Sequence, residues 1–232
     1  IMNDKIAIVF FGVYFYDARC VNMAHSIAKK KLAVDIYHTG KSNGQAPTNK
    51  NKYINVINLS LETNRPGLLW WLLFLRKKIR GKYNIFIVGD IYSLVAIYPL
   101  VSKEKVIYDA RDIFTELSIH RFKYIKKIFW SALENYAIKR VHTIISTAHS
   151  DCLFFKKKFS KNKKIKYETI YNFPSKNITK KNIQLGINKR HKIIIYQGVV
   201  QGGRGVGLLL KILKQNPGLF GVVVGEGKAK EA

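Results

Sequence analysis

Short runs of β-forming residues recur along this chain with amphipathic stretches between them, and no other feature restricts the possible fold as much. Lys5 to Phe11, Ala33 to His38, Tyr53 to Leu59, Asn84 to Gly89, Lys105 to Ala110 and Thr143 to Ala148 read as strands. Cys20, Met23, Ala24, Ile27 and Ala28 recur at helical spacing, and so do Phe122, Ile125, Ile128, Phe129, Leu133, Tyr136 and Ala137. Many of the strands are too apolar to face water on either side, which predicts a parallel sheet covered by helices on both faces. That is a doubly wound α/β domain, with ligands expected outside the carboxyl ends of its strands.

The pattern is interrupted between Asp151 and Lys192, where 13 Lys and Arg stand against two acids, Asp151 and Glu168. Asn172-Phe173-Pro174-Ser175 is a turn signal closing a short strand Glu168 to Tyr171, and the polar run Lys176 to His191 follows. A second unit then opens with strand Lys192 to Gln197, the Gly-rich loop Gly198 to Gly207, helix Leu208 to Lys214, and strand Phe220 to Val224. The predicted division is a domain at 1–175, a linker at 176–191 and an incomplete second domain at 192–232.

The formal charge of +27 on 232 residues points to an anionic partner or surface. The abundance of Lys, Ile and Asn also fits codon bias in an AT-rich genome, and both readings stay open. Only Cys20 and Cys152 are present, so no disulfide framework or multi-cysteine metal site is expected, and a reducing, cytoplasmic setting fits. The opening residues pass directly into the first strand without a leader-like pattern. The most apolar run, Leu68 to Leu75, has 8 residues. A spanning helix needs about 20. Within Arg65 to Arg80, Trp70 and Trp71 with Arg76, Lys77 and Lys78 suit either an interfacial helix on an anionic membrane or core packing through Leu68, Leu72 and Leu75.

Two segments carry chemistry. In Tyr196 to Gly205, glycines between a strand and a helix let backbone approach an anion, and Arg204 adds a fork of donors. Gly202, Gly203, Arg204 and Gly205 are therefore candidate diphosphate-binding residues; the alternative is a tight turn with a solvated Arg. The spacing is not a P-loop, because Arg204-Gly205 stands where Lys and Ser or Thr are required. In Tyr108 to Glu116, the carboxylates Asp109, Asp112 and Glu116 with Arg111 sit at the end of the fifth predicted strand. They suit hydroxyl recognition and charge stabilisation, or else an N-cap with a structural ion pair. Asp17 and Arg19 after the first strand, and His149 after the sixth, are candidate acceptor contacts or helix caps.

Taken in order, Tyr16-Asp17-Ala18-Arg19, Tyr108 to Asp112 with Glu116, Glu134 to Ser146, Tyr171-Asn172-Phe173-Pro174, Tyr196 to Gly205 and Val223 to Gly227 resemble the motifs of family 4 glycosyltransferases. The resemblance implies a GT-B architecture of two Rossmann-like domains. It implies a metal-independent, commonly retaining enzyme that moves a sugar from a nucleotide-diphosphate donor to a hydroxyl acceptor, with no cofactor beyond that co-substrate. Arg204 would then match the cation on the donor diphosphate. Cell-surface polysaccharide or lipopolysaccharide synthesis on lipid-linked or saccharide acceptors is implied as well, at the inner face of the plasma membrane. Two departures stand out: Arg111 replaces a His common in relatives, and the downstream acidic motif would lie beyond Ala232, so this fragment is expected to be inactive alone. Rival readings are a basic nucleic-acid-binding module, which lacks any recognisable signature and is not expected, and a non-catalytic sugar- or nucleotide-binding domain on the same fold.

Overall fold

The computed structural model describes residues 5–40, 51–59, 68–79, 83–101, 105–116, 124–173, 186, 192–201, 203–225 and 227. Phe122, Pro174, Ser175, Gly202 and most of the predicted linker lie outside the described residues. Packing divides the chain into two units, Ile1–Lys176 and Asn177–Ala232.

The first unit holds strands β1 (Lys5–Val9), β2 (Ala33–His38), β3 (Ile54–Asn58), β4 (Ile85–Val88), β5 (Val106–Ala110), β6 (Thr143–Ser146) and β7 (Lys166–Thr169). They form one seven-stranded sheet in the order β3-β2-β1-β4-β5-β6-β7. Every pairing is parallel, as Ile8 opposite both Ile36 and Ile87 illustrates. The helices are α1 (Ala18–Lys29), α2 (Leu68–Lys78), α3 (Ile91–Ile97), α4 (Tyr124–Ala137) and α5 (His149–Lys158). The expected parallel α/β sheet is present. The seventh strand lies two residues earlier than the Glu168 to Tyr171 reading.

After β3 the chain crosses back to the far side of β1, reversing the direction of strand addition. Right-handed crossovers then place the helices of the two halves on opposite faces. Ile6, Ile8, Val34, Ile36 and Ile87 form one cluster with Cys20 and Ala24 of α1. Ala7, Val9, Phe86, Val88, Tyr108 and Ile144 belong to the other, with Trp71 and Leu75 of α2, Leu94 and Ile97 of α3, Ala137 of α4 and Phe155 of α5. The reversal between β1 and β4 is the topological switch point of the sheet, where the carboxyl ends of the strands open a crevice.

Two helix starts are fixed by acids in the loops that follow β1 and β4. Asp17 caps α1 by accepting from the Cys20 backbone N–H at 2.7 Å, and Asp90 caps α3 by accepting from that of Ser93 at 2.8 Å. Such caps satisfy backbone donors that a helix cannot pair within itself.

Helix α4 forms where the helical spacing predicts it. Ile125, Ile128, Phe129 and Tyr136, which recur at helical spacing, lie on it as expected but are 83%, 52%, 57% and 56% exposed. The inward side carries Ala137 and Glu134, the latter fully buried with its carboxylate 2.5 Å from Lys158 Nζ of α5.

The second unit consists of β8 (Lys192–Gln197), α6 (Val206–Gln215) and β9 (Leu219–Val224), with β8 and β9 paired in parallel. This is one strand-helix-strand crossover. None of the described helices in either unit is long and apolar enough to cross a membrane.

Candidate functional site

The loop after β1, the end of β5 and the residue after β7 are tied together by charged side chains. Asp109, the fourth residue of β5, is fully buried, and an isolated carboxylate could not remain ionised there. Arg19 of α1 supplies Nε at 3.0 Å to both carboxylate oxygens and Nη2 at 2.6 Å to Oδ1. Its remaining terminal nitrogen donates to the Ile170 carbonyl at 2.7 Å, just beyond β7. Arg111 completes the set: its Nε donates to Asp109 Oδ2 at 3.1 Å, and its Nη1 pairs with Asp17 Oδ2. Two acids and two guanidinium groups thus form a chain of net charge zero, Asp17–Arg111–Asp109–Arg19.

Burial by itself would lower the Arg111 pKa, but Asp17 and Asp109 outweigh it and hold the group more firmly protonated than usual. The guanidinium also lies 5.4 Å from the centre of the Phe10 ring. Gly89 leaves room for it, since a Cβ there would meet Arg111 Nη2 at 3.1 Å and Phe10 Cβ at 3.0 Å. Cys20, beneath the network, is buried with its thiol pushed up to about 12 by burial, so it is not a nucleophile at neutral pH.

This geometry corrects two sequence expectations. Asp109 offers no free oxygen to a ligand, because both are taken by Arg19 and Arg111 at zero exposure. Arg19, only 8% exposed, is directed inward to Asp109 rather than toward an acceptor. Asp109 holds Arg111, and Arg19 holds Asp109 and the Ile170 carbonyl. Asp17 and Arg111 remain at the rim, with 22% and 19% of their side-chain surface exposed. Asp112, Glu116 and His149 are exposed at the same carboxyl edge, Glu116 carrying an ion pair to Lys127 at 2.9 Å. His149 is the first residue of α5, whose N-cap Ala148 has no side-chain bond, so the imidazole does not cap that helix.

Asp90 is the acid that spacing did not single out. Its carboxylate accepts from the Phe11 N–H at 2.6 Å and from the Ser93 backbone and hydroxyl at 2.8 and 2.9 Å. It therefore clamps the loop after β1 onto the start of α3. Burial raises its pKa, against the lowering effect of those hydrogen bonds and of Arg111. The signal available was a strand-terminal Gly89-Asp90 before an apolar run.

Of the membrane candidates, Trp71 is corrected: it is 4% exposed, packs in the core, and donates Nε1 to Ser93 Oγ at 3.2 Å. Trp70 is 42% exposed. Arg76 donates to the Ala96 carbonyl at 3.3 Å, and Lys77 and Lys78 close the last turn of α2.

In the second unit the loop before α6 has the backbone that glycine permits. Gly203 and Gly205 take left-handed φ values of +80° and +88°, and among the described residues other than their chain neighbours no atom lies within 4 Å of a Cβ built at either. Gly205 is the N-cap of α6, and no side chain occupies the cap. Arg204 is exposed between them. A helix N-terminus with uncapped N–H groups, unobstructed glycines and a guanidinium can receive an oxyanion such as a phosphate.

Neither a protein-family model nor a curated protein sequence matches the chain. Solved structures do. An Arabidopsis thaliana protein, UGT89C1, complexed with UDP-L-rhamnose, is similar over 100% of this chain and 71% of its own, at 10% identity and a TM-score of 0.61. Anabaena HepE in complex with UDP and glucose is similar over 97% of this chain and 62% of its own, at 14% identity and a TM-score of 0.64. The chain thus spans less than two thirds of the length of HepE. At such identities the likeness establishes architecture, and the architecture is α/β, with a Rossmann-like parallel sheet of the kind found in GT-B proteins.

Proposed function

We propose that this chain belongs to a glycosyltransferase that moves a sugar from a nucleotide-diphosphate donor to a hydroxyl acceptor. The observation that carries the reading is the start of α6, where Gly203 and Gly205 leave the helix N-terminus open and Arg204 stands exposed beside it. Arg204 takes up charge developing on the diphosphate leaving group, the task a metal ion performs in other transferases. Gly202, Gly203 and Gly205 allow the backbone to approach. Support comes also from the shared architecture with proteins solved with UDP or a UDP-sugar.

On the first unit, Asp17, Arg111, Asp112, Glu116 and His149 form the acceptor side at the carboxyl edge of the sheet, and the buried Arg19–Asp109 pair orients Arg111. Retention of configuration, independence of metal, and a role in cell-surface polysaccharide or lipopolysaccharide synthesis on lipid-linked or saccharide acceptors complete the reading. Its setting is the cytoplasmic face of the plasma membrane, with Trp70, Arg76, Lys77 and Lys78 toward anionic headgroups. The test is thermal unfolding of the protein with UDP, with other nucleoside diphosphates and with nucleotide sugars. A ligand-dependent rise in Tm that Arg204→Ala removes supports the reading; no rise with any of them sinks it.

A further inference from the structure

The segment that joins α5 to β7 carries more charge than its place in the fold requires. Seven of the eleven residues from Lys156 to Lys166 are lysine, and none is acidic. Lysines in the last turn of a helix complement its dipole, yet that end carries only about half a negative charge. Lys158 is spoken for by the buried Glu134. The other six lysines have no ion pair among the described residues.

Two successive turns shape this segment around a cavity. The Asn162 N–H donates to the Phe159 carbonyl at 2.9 Å, and the Ile165 N–H to that of Asn162 at 3.3 Å. The Lys166 N–H then fixes the chain to the His142 carbonyl, just before β6, at 2.9 Å. The cavity has a volume of about 450 Å³. Phe159 and Ile165, both buried, supply its apolar floor. Lys156, Ser160, Asn162, Lys163 and Tyr167 complete the lining, and each carries a hydrogen-bond donor. None of the described lining residues is acidic.

Tyr167 adds a second observation. Its hydroxyl is buried and has no hydrogen-bond partner among the described residues, and burial raises its pKa, so it keeps its proton. A buried hydroxyl left unpaired is destabilising. An oxyanion in the cavity, directly or through one water, supplies the missing partner.

Ammonium groups and neutral donors around an apolar floor select an anion that carries a hydrophobic body. A bare phosphate leaves the floor uncovered, and a neutral ring leaves the ammonium groups unanswered. A nucleic acid or a bilayer reads charge over an extended area and would use Lys161 and Lys164, which do not line the cavity, as much as Lys156 and Lys163.

We infer that the turn between α5 and β7 binds a soluble phosphate monoester with an apolar or aromatic body. Because the turn leads into a parallel strand, it lies at the amino edge of the sheet, opposite the carboxyl edge where Asp17, Arg111 and Asp109 meet. Such a site goes beyond the transferase reading and does not rest on it, since its residues and its edge of the sheet are different.

The experiment is isothermal titration of the intact chain with phenyl phosphate, inorganic phosphate and phenol, in about 0.15 M salt to screen long-range attraction. The variants are Lys156→Gln/Lys163→Gln and, as a control of equal charge change on the same segment, Lys161→Gln/Lys164→Gln. Thermal unfolding without ligand checks that each variant folds. Phenyl phosphate is expected to bind at least about fivefold more tightly than inorganic phosphate, and phenol not to bind. Its affinity should fall more than about tenfold in the cavity pair and change less than about twofold in the control pair. Four outcomes overturn the inference: no binding of phenyl phosphate; equal affinity for phenol or inorganic phosphate; equal loss in the two lysine pairs, the mark of a diffuse basic surface; or a signal kept by the cavity pair and lost with Arg204→Ala, which puts the anion at the second unit. If the cavity pair does not fold, Lys163→Gln alone takes its place and is read by the same criteria.

Discussion

Arg19 and Asp109, ninety residues apart in sequence, meet through three hydrogen bonds of 2.6–3.0 Å, with the carboxylate wholly inaccessible to solvent. Removing one partner strands a buried charge. Arg19→Leu or Asp109→Leu alone is expected to lower unfolding free energy by about 3–5 kcal/mol in urea denaturation. Replacing both by leucine should recover much of that loss, and a double-mutant cycle with no coupling would show the pair to be unimportant.

His38 gives the fold a pH dependence. It is 1% exposed, its Nε2 has no hydrogen-bond partner among the described residues, and burial lowers its pKa below the usual histidine value. The unfolded chain therefore binds a proton near pH 6.5 that the folded chain takes only at lower pH. Stability from this residue is full above about pH 6.5 and is lost as pH falls through the folded value. Urea midpoints measured between pH 8 and 5 should decline on the acid side, and His38→Gln should reduce the decline. A midpoint that rises on acidification would contradict this.

Adjacent tryptophans should behave differently. Trp71 is buried with its N–H on Ser93, so Trp71→Ala is expected to cost about 3–5 kcal/mol. Trp70→Ala, at a site 42% exposed, should cost no more than about 1 kcal/mol. Chemical denaturation of both variants checks the contrast.

At the second unit, Gly205→Val forces a β-branched residue to φ +88° at the start of α6. A cost of about 1–3 kcal/mol is expected from that backbone alone. Arg204→Ala should leave Tm without ligand unchanged within about 1 °C, because the side chain is exposed. It should also remove the shift caused by UDP, which for a saturating ligand at 100 times its Kd corresponds to about 2.7 kcal/mol. An unchanged shift would remove Arg204 from the binding site.

How far residues disclose this molecule depends on the range of the interaction. β2 runs from Ala33 to His38 as its alternation and flanks indicate, because strand propensity is read locally. The same local spacing marks the helix α4 and the positions that share its apolar face. Spacing reports that residues share a face and cannot report whether a neighbour covers it. Helix α3 is not legible because a seven-residue segment, apolar but for Tyr92 and Ser93, is too short to show a period, and the capping role of Asp90 is hidden with it. Asp109 was legible as an acid at a strand end. Its partner Arg19 was not legible as such, since only the parallel register of β1, β4 and β5 brings α1 over that carboxylate.

The outermost strands of the seven-stranded sheet bear on behaviour at high protein concentration. A free strand edge is a template for pairing with another molecule, and natural sheets block it with charged or polar side chains. β7 places Lys166 and Glu168 outward, and β3 exposes Asn55 in a run that begins and ends near asparagine. An intruding strand along β7 would have to desolvate that ammonium and carboxylate together. Edge chemistry of this kind resists aggregation, and the resistance resides in side chains that contribute little to the packed core.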